Sequence, residues 1–222
     1  MQADDMKSAQ GWARLAGALY LATNASAIFA FAARGQLAAK GDPSQTVANI
    51  AASETWFRLS IAGELLSVAG TVALTLALYA VLRPFGRSRA LLAAFWRLIE
   101  NAVLAAVTLT SLAALALLRA PDGAALAYAF LQVHNWGFQI GFLFLGLGSA
   151  LFSALWWKSR LIPRAFAGWG IFASLLMAAV ALLLIVRPDL LATITLYYMA
   201  PMGTYEIGLG LWLLVIGVRQ PA

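Results

Sequence analysis

Six long apolar runs, separated by short segments that carry prolines and basic residues, constrain this chain more than any other feature of its sequence. A helix needs about 20 residues to cross the hydrocarbon core of a bilayer, and the runs reach or approach that length. We therefore predict an all-α polytopic membrane bundle of about six transmembrane helices, in a single integral membrane domain over residues 1–222. The predicted spans cover residues 12–33, 57–82, 91–118, 128–157, 164–186 and 200–218.

The composition agrees with a lipid environment. Of the 222 residues, 63% are hydrophobic and 11% are charged, whereas soluble domains carry about 25% charged residues. A soluble protein of this composition would lack the polar groups needed to cover its surface. The basic residues lie in short bursts between apolar runs, which orients helices in a bilayer and does not favour nucleic-acid binding.

Prolines mark the predicted ends of the spans, because proline breaks the hydrogen-bond ladder inside a helix and is tolerated in its first turn. The internal prolines, each expected where a helix ends or starts, are Pro43, Pro84, Pro121, Pro163, Pro188 and Pro201. Outside the spans, residues 44–54 and 190–199 are predicted to form short interfacial helices.

Basic residues in short loops predict the orientation, since such loops stay on the cytoplasmic side. The loops at residues 83–89 and 158–164 each carry three basic residues, and alternating spans place both loops on one side. The opposite side carries Arg34, Lys40 and Arg58 across a longer loop. With six spans, both termini are predicted to be cytoplasmic.

Several stretches resemble a known bacterial family. They are ARLAGALYL at residues 13–21, ANIAASE at 48–54, FRL at 57–59, LYAVLRP at 78–84, FWRL at 95–98, KSRLIPR at 158–164, YE at 205–206 and LWLL at 211–214. The chain resembles, over nearly its whole length, the family called domain of unknown function 4386. The resemblance implies a multi-pass protein of the bacterial cytoplasmic (inner) membrane and brings no assigned activity.

Charged side chains inside the predicted spans are informative, because each costs about 2.5–3.5 kcal/mol to insert. The third span carries two, Arg97 and Glu100, which are three residues apart and so close enough to pair on a helix. We predict a structural ion pair between them. A role in proton or substrate handling is the alternative.

The remaining intramembrane polar groups fall in the outer half of the predicted spans. Our hypothesis is that Glu64, His134 and Glu206, with Asn24 and Asn135, line an outward-opening polar pocket that binds a ligand. The alternative is that neighbouring helices satisfy each group singly. Stripes at helical spacing are predicted to face inward: Ser60, Glu64, Ser67, Thr71 and Thr75 on the second span; Arg97, Glu100 or Asn101, Thr108 and Ser111 on the third; and a shorter one, Gln132, Asn135 and Gln139, on the fourth.

Charge counting sharpens this hypothesis. The spans contain three acids, Glu64, Glu100 and Glu206, against Arg97 and a potential second cation, His134. One carboxylate is therefore left over. It must be protonated, reach an interfacial arginine such as Arg58, or bind an external cation.

Residue types exclude several chemistries. The chain has no cysteine and a single histidine, which removes thiolate metal sites and bis-histidine haem, and no HExxH motif is present. We predict no cofactor, no metal and no catalytic residue. The favoured function is non-enzymatic binding of a lipid-like or small ligand, or of a membrane partner subunit, among helices surrounded by membrane lipids. A small proton-coupled transporter using Glu64 and Glu206 and a membrane enzyme with a Glu/His site remain alternatives.

Overall fold

The computed structural model describes residues 3–219, without the side chains of residues 3–6, 191–193 and 195–196. The regular structure of the described residues is helical throughout. Two single-turn 3-10 helices precede α4 and α7. The α-helices are α1 (Ala3–Leu37), α2 (Pro43–Ala52), α3 (Glu54–Leu82), α4 (Arg87–Leu117), α5 (Ala124–Ser159), α6 (Arg164–Val186) and α7 (Leu191–Val215).

Every predicted apolar run lies in a helix. Within the described residues, five helices are long and apolar enough to cross a membrane: α1, α3, α4, α5 and α6. The sixth run lies in α7, which has 25 residues. The prediction of an all-helical membrane bundle is thus confirmed.

The six long helices form a closed ring. Each packs against the next in the order α1, α3, α4, α5, α6 and α7, and α7 packs back against α1. The short helix α2 lies at one end of the ring, against α1, α3 and α5. Side chains that point away from lipid therefore meet in one shared interior.

Two helix boundaries differ from the sequence prediction. The helix α1 continues past the end of its apolar run to Leu37, so Arg34 lies in its last turn. The predicted separate helix over residues 190–199 is wrong, because that stretch is continuous with α7 and Pro201 lies inside α7. Proline removes one hydrogen bond from a helix, but apolar flanking residues stay helical because backbone groups in lipid lack other partners.

The short helix predicted over residues 44–54 is present as α2. The Asp42 side chain accepts a hydrogen bond from the Gln45 N–H and so caps its first turn. A hydrogen bond of 2.6 Å from the Ser44 hydroxyl, together with the one from the Gln45 N–H, holds the pKa of the Asp42 carboxyl below its usual value. Val47 and Ile50 are buried and form the inner face of the helix.

Polar residues occupy the middle of the ring, between two apolar clusters. On α4 the buried residues between Ala94 and Ala114 are all polar: Arg97, Glu100, Asn101, Thr108 and Ser111. A larger apolar cluster packs mainly around the end of the ring that carries the α3–α4 and α5–α6 connections. A smaller one, which includes Phe57, Ile61 and Leu115, packs beneath α2.

Candidate functional site

Four helices bring polar side chains together near the α2 end of the ring, in a group that we call the outer cluster (Arg34, Glu64, Ser111 and His134). The Arg34 guanidinium of α1 lies 2.7 Å from one carboxylate oxygen of Glu64 and donates to the other at 2.9 Å. It also donates to the Ser111 hydroxyl of α4 at 3.0 Å. His134 Nε2 of α5 lies 3.1 Å from Glu64 Oε2.

The opposite charges of Arg34 and Glu64 balance each other within the outer cluster. Glu64 is 8% exposed and Arg34 is 18% exposed, so the two charges are largely withdrawn from solvent and neutralise each other. The Arg34 guanidinium also lies 4.7 Å from the centre of the Phe57 ring, a distance at which a cation is attracted to the ring. Nothing in this cluster requires an external counter-ion.

Sequence reasoning missed Arg34 as a member of this cluster. The apolar run ends at Ala33, so Arg34 was assigned to a loop, but helical side chains point back toward the N-terminus. That direction carries the guanidinium inward to the level of Glu64. Arg58, which the sequence analysis names as a possible partner of the surplus carboxylate, pairs instead with Glu54 at 2.8 Å. That prediction is wrong for Arg58.

A second polar group lies deeper in the ring. We call it the central cluster (Tyr20, Asn24, Arg97, Glu100, Asn101, Ser149, Ser153, Tyr205 and Glu206). Its ion pair joins Arg97 Nη1 to Glu100 Oε2 at 2.9 Å, with both side chains at most 5% exposed. The two side chains are close in distance but not aligned as a hydrogen bond, since Glu100 Oε2 has no hydrogen-bond partner among the described residues.

Glu206 of α7 belongs to the central cluster and not to the outer one. It lies nine residues before the end of α7, or about 14 Å along the helix, and Arg97 lies about 15 Å from the start of α4 at the same end of the ring. The sequence prediction placed Glu206 at the depth of Glu64, because it started this helix at Ala200. Because α7 begins earlier than predicted, Glu206 lies deeper in the ring than the sequence prediction placed it.

The polar contacts of Glu206 are few. Its Oε2 accepts a hydrogen bond from Asn24 Nδ2 of α1 at 3.2 Å, and the same amide also donates to the Tyr20 carbonyl at 3.0 Å. Its Oε1 is buried and has no hydrogen-bond partner among the described residues. Among the described residues, the hydrogen-bond donor to the Glu206 carboxylate is therefore a neutral amide.

Two side-chain contacts lie around the ring between the ion pair and α7. Arg97 lies 3.5 Å from the Ser149 hydroxyl of α5, and one turn along α5 Ser153 lies 3.0 Å from the Tyr205 hydroxyl of α7. Tyr205 is 2% exposed and precedes Glu206 in the chain. Glu206 therefore lies at about the depth of the Arg97–Glu100 pair, on the helix that closes the ring.

The small residues of α6 and α7 make this linkage possible. A Cβ at Gly170 would meet the Tyr205 ring and the Ser153 hydroxyl at 2.4–2.6 Å, which is well inside van der Waals contact. A Cβ at Gly210 would meet Tyr20 Cβ at 2.9 Å. Glycine at these positions lets the aromatic rings of α1 and α7 lie inside the ring beside the acids.

The five polar residues of the predicted pocket thus separate. Glu64 and His134 lie together in the outer cluster, whereas Asn24 and Glu206 lie together in the central cluster. Asn135 is exposed on the outside of α5, so the predicted inward position is wrong for Asn135. Gln139 of the same predicted stripe is buried and accepts a hydrogen bond from the Tyr198 hydroxyl at 2.7 Å, and His134 also faces inward. The stripe from Ser60 to Thr75 on α3 and that from Arg97 to Ser111 on α4 face inward.

The described residues do not form a metal site. Among residues 3–219, apart from the side chains left undescribed, no three histidine or acidic side chains converge as metal ligands. His134 contacts one acid, Glu64, and its ring centre lies 4.9 Å from that of Phe138, with the two rings tilted by 42°. The two polar clusters offer a ligand hydrogen-bond acceptors and charged side chains.

Comparison with known proteins gives one match. The family described as "Domain of unknown function (DUF4386)" matches residues 15–217. The comparison with curated proteins gives no match, and neither does the comparison with solved structures. The matched residues include every helix from α2 to α7 and both polar clusters.

Proposed function

Because the chain belongs to the DUF4386 family, whose description assigns no activity, we propose a function from the interior of the ring. We propose a six-span protein of the bacterial cytoplasmic membrane, with both termini in the cytoplasm, that binds a small ligand at the central cluster. Membrane lipids would surround the exposed apolar outside of the ring. The predicted site in the outer half of the bundle is replaced by one nearer the middle.

The six-span topology rests on helix length and on charge. The helix α7 has 25 residues, or about 38 Å, which exceeds the hydrocarbon thickness of a bilayer of about 30 Å. The α3–α4 and α5–α6 connections carry Arg83, Arg87, Lys158 and Arg160 at one end of the ring. Positive loops remain in the cytoplasm, which supports cytoplasmic termini.

The single observation that carries the ligand-binding proposal is the surplus carboxylate of the central cluster. Arg97 balances one of two acids, Glu100 or Glu206, and the described contacts of Glu206 supply no second cation. A charge withdrawn from water is costly unless it is paired. The outer cluster, by contrast, balances Glu64 with Arg34. A bound ligand that pairs with Glu206 would complete the central cluster.

The proposal is tested by identifying what the purified protein carries. The protein is extracted directly into lipid nanodiscs, denatured, and the released small molecules are identified by mass spectrometry. The variants are Glu206→Gln and, as a matched control at an exposed polar position, Asn135→Ala. We expect a near-stoichiometric small molecule from the native protein and the control, and its loss from Glu206→Gln. Equal release from all three, or release of bulk lipid alone, would overturn the proposal.

A second candidate is a proton-coupled carrier, favoured by the presence of one surplus acid at mid-membrane depth. Intramembrane acids of this kind mark proton relays in pumps and transporters. Glu206 would be the exchanging group, and Glu64 would not, because Arg34 and His134 contact it.

Proteoliposomes with a trapped pH-sensitive dye separate this candidate from simple binding. A carrier that exchanges protons at Glu206 would acidify the lumen under an imposed potential, and Glu206→Gln would abolish that flux while Asn135→Ala would not. Proton uptake that Glu206→Gln leaves unchanged would reject Glu206 as the exchanging group.

A further inference from the structure

The fully buried side-chain atoms of the central cluster that lack hydrogen-bond partners share one property: they are all acceptors. Among the described residues they are Glu100 Oε2, Asn101 Oδ1 and Glu206 Oε1, each buried. Asn101 is 3% exposed and Glu100 is also 3% exposed. Glu100 Oε2 has the Arg97 guanidinium 2.9 Å away, so the acceptors of the described residues without any partner are Asn101 Oδ1 and Glu206 Oε1. Buried polar atoms are normally paired, and these two point to a missing donor.

The two amide donors of the cluster and the Nη1 group of Arg97 already have partners. Arg97 contacts Glu100 and Ser149, and the Asn101 amide donates to the Arg97 carbonyl at 2.6 Å. The Asn24 amide is shared between Tyr20 and Glu206. Adding a neutral acceptor to this interior would leave the same oxygens unpartnered.

The charges of the central cluster also favour a donor as the missing group, because they favour a cation. Two carboxylates and one guanidinium lie in the cluster, so an entering anion would add repulsion and an entering cation would balance Glu206. The ring of Tyr20 lies in the same interior, 4% exposed, and aromatic faces attract organic cations.

On the basis of the ligand-binding function proposed above, we infer that the group recognised at Glu206 is an ammonium: the ligand class is a small organic amine whose charged nitrogen donates to the free acceptors of Glu206 and the neighbouring α4 side chains. An ammonium supplies three donors and one positive charge on a compact centre. Its apolar substituent would lie among the apolar side chains that border the cluster, such as Leu209.

The experiment uses n-butylammonium chloride as the probe and the full chain in nanodiscs. Its melting temperature is measured with butylammonium, with n-butanol at the same concentration, and with sodium chloride at the same ionic strength. Ligands that bind the folded state raise the melting temperature in proportion to occupancy. We expect a saturable rise with butylammonium that neither butanol nor sodium chloride reproduces.

Three variants make the result specific to Glu206. Glu206→Gln removes the charge, and we expect its apparent affinity for butylammonium to fall at least about tenfold. Glu206→Asp keeps the charge and should still prefer butylammonium to butanol, which preserves the test if the glutamine variant does not fold. Glu54→Gln, at the partly exposed acid that pairs with Arg58 and Arg119, should bind as the native protein does.

Equal stabilisation by butanol, by sodium chloride alone, or in Glu206→Gln would overturn the amine assignment. Such a result leaves the mass-spectrometric test above unchanged, because that test does not assume the chemistry of the ligand. Loss of the copurified molecule in Glu206→Gln without any butylammonium effect would therefore reject the amine class and keep ligand binding at Glu206.

Discussion

Glu64 and Glu206 have the same side chain at membrane depth but different partners. Glu64 touches an arginine and a histidine, whereas the described hydrogen bond of Glu206 comes from the amide of Asn24. The first is therefore expected to stabilise the fold and the second to serve binding. Substituting each with glutamine separates these roles.

Glu64→Gln is predicted to destabilise the protein by about 1–3 kcal/mol, because it leaves the largely buried Arg34 guanidinium without its carboxylate. The matched control is Glu54→Gln, at an acid whose pairs with Arg58 and Arg119 are partly exposed. Solvent screening leaves pairs of that kind with little effect on stability. Thermal melting in nanodiscs measures both, and equal losses would contradict the assigned role of Glu64.

Residue types and spacing predicted which side chains would avoid lipid, but not which of them would meet. The Arg97–Glu100 pairing follows from a separation of three residues on one helix. The contact between Arg34 and Glu64 joins residues 30 positions apart, and that between Asn24 and Glu206 joins residues 182 apart. Contacts of that separation depend on the order of helices in the ring, which periodicity does not encode.

At the scale of helices, the crossing of α1 and α7 closes the ring and positions Glu206. A Cβ at Gly17 would meet the Gly210 carbonyl oxygen at 2.7 Å and the backbone of Leu214 closer still. These are backbone atoms, so they cannot move aside as a flexible side chain would. The two helices would have to separate.

Gly17→Ala is therefore predicted to destabilise the protein by about 1–3 kcal/mol, the usual cost of overpacking, and to weaken ligand retention. Gly11→Ala on the same helix is the control, because a Cβ there meets nothing within 4 Å and alanine has the higher helix propensity. Melting temperatures of the two variants test this. A Gly17→Ala protein as stable as Gly11→Ala would show that the close crossing is absent.

Helix boundaries were the least predictable feature of the elements. Apolar runs located all six long helices, but α1 extends beyond its run at both ends and α7 begins nine residues before the expected start at Ala200. The helix α1 continues through polar turns that its apolar run does not include. The helix α7 instead includes the mostly apolar residues before Pro201, because the proline does not end it. Both boundary changes relocate a site residue: Arg34 into the outer cluster and Glu206 into the central one.

At the scale of the whole molecule, the orientation of the ring decides which side each cluster faces. The absence of native cysteine makes a single introduced cysteine the only thiol. Ser44→Cys at the start of α2 and Ser88→Cys at the start of α4 are both exposed positions at opposite ends of the ring. They form a matched serine-to-cysteine pair.

A membrane-impermeant maleimide is predicted to label Ser44→Cys in intact spheroplasts and Ser88→Cys only after lysis. The physical reason is the retention of the basic α3–α4 connection in the cytoplasm. Labelling in the reverse order would invert the topology, and labelling of both in intact cells would contradict a membrane-spanning ring.

The account as a whole depends on Glu206 sharing one electrostatic interior with Arg97 and Glu100. A double-mutant cycle of Arg97→Gln and Glu206→Gln, followed by thermal melting, tests this most directly. Arg97→Gln leaves two acids without a cation and should be strongly destabilising, and adding Glu206→Gln should recover part of that loss, with a coupling of about 0.5–3 kcal/mol. Strictly additive effects would mean that Glu206 does not sense Arg97, and the central cluster would not exist as described.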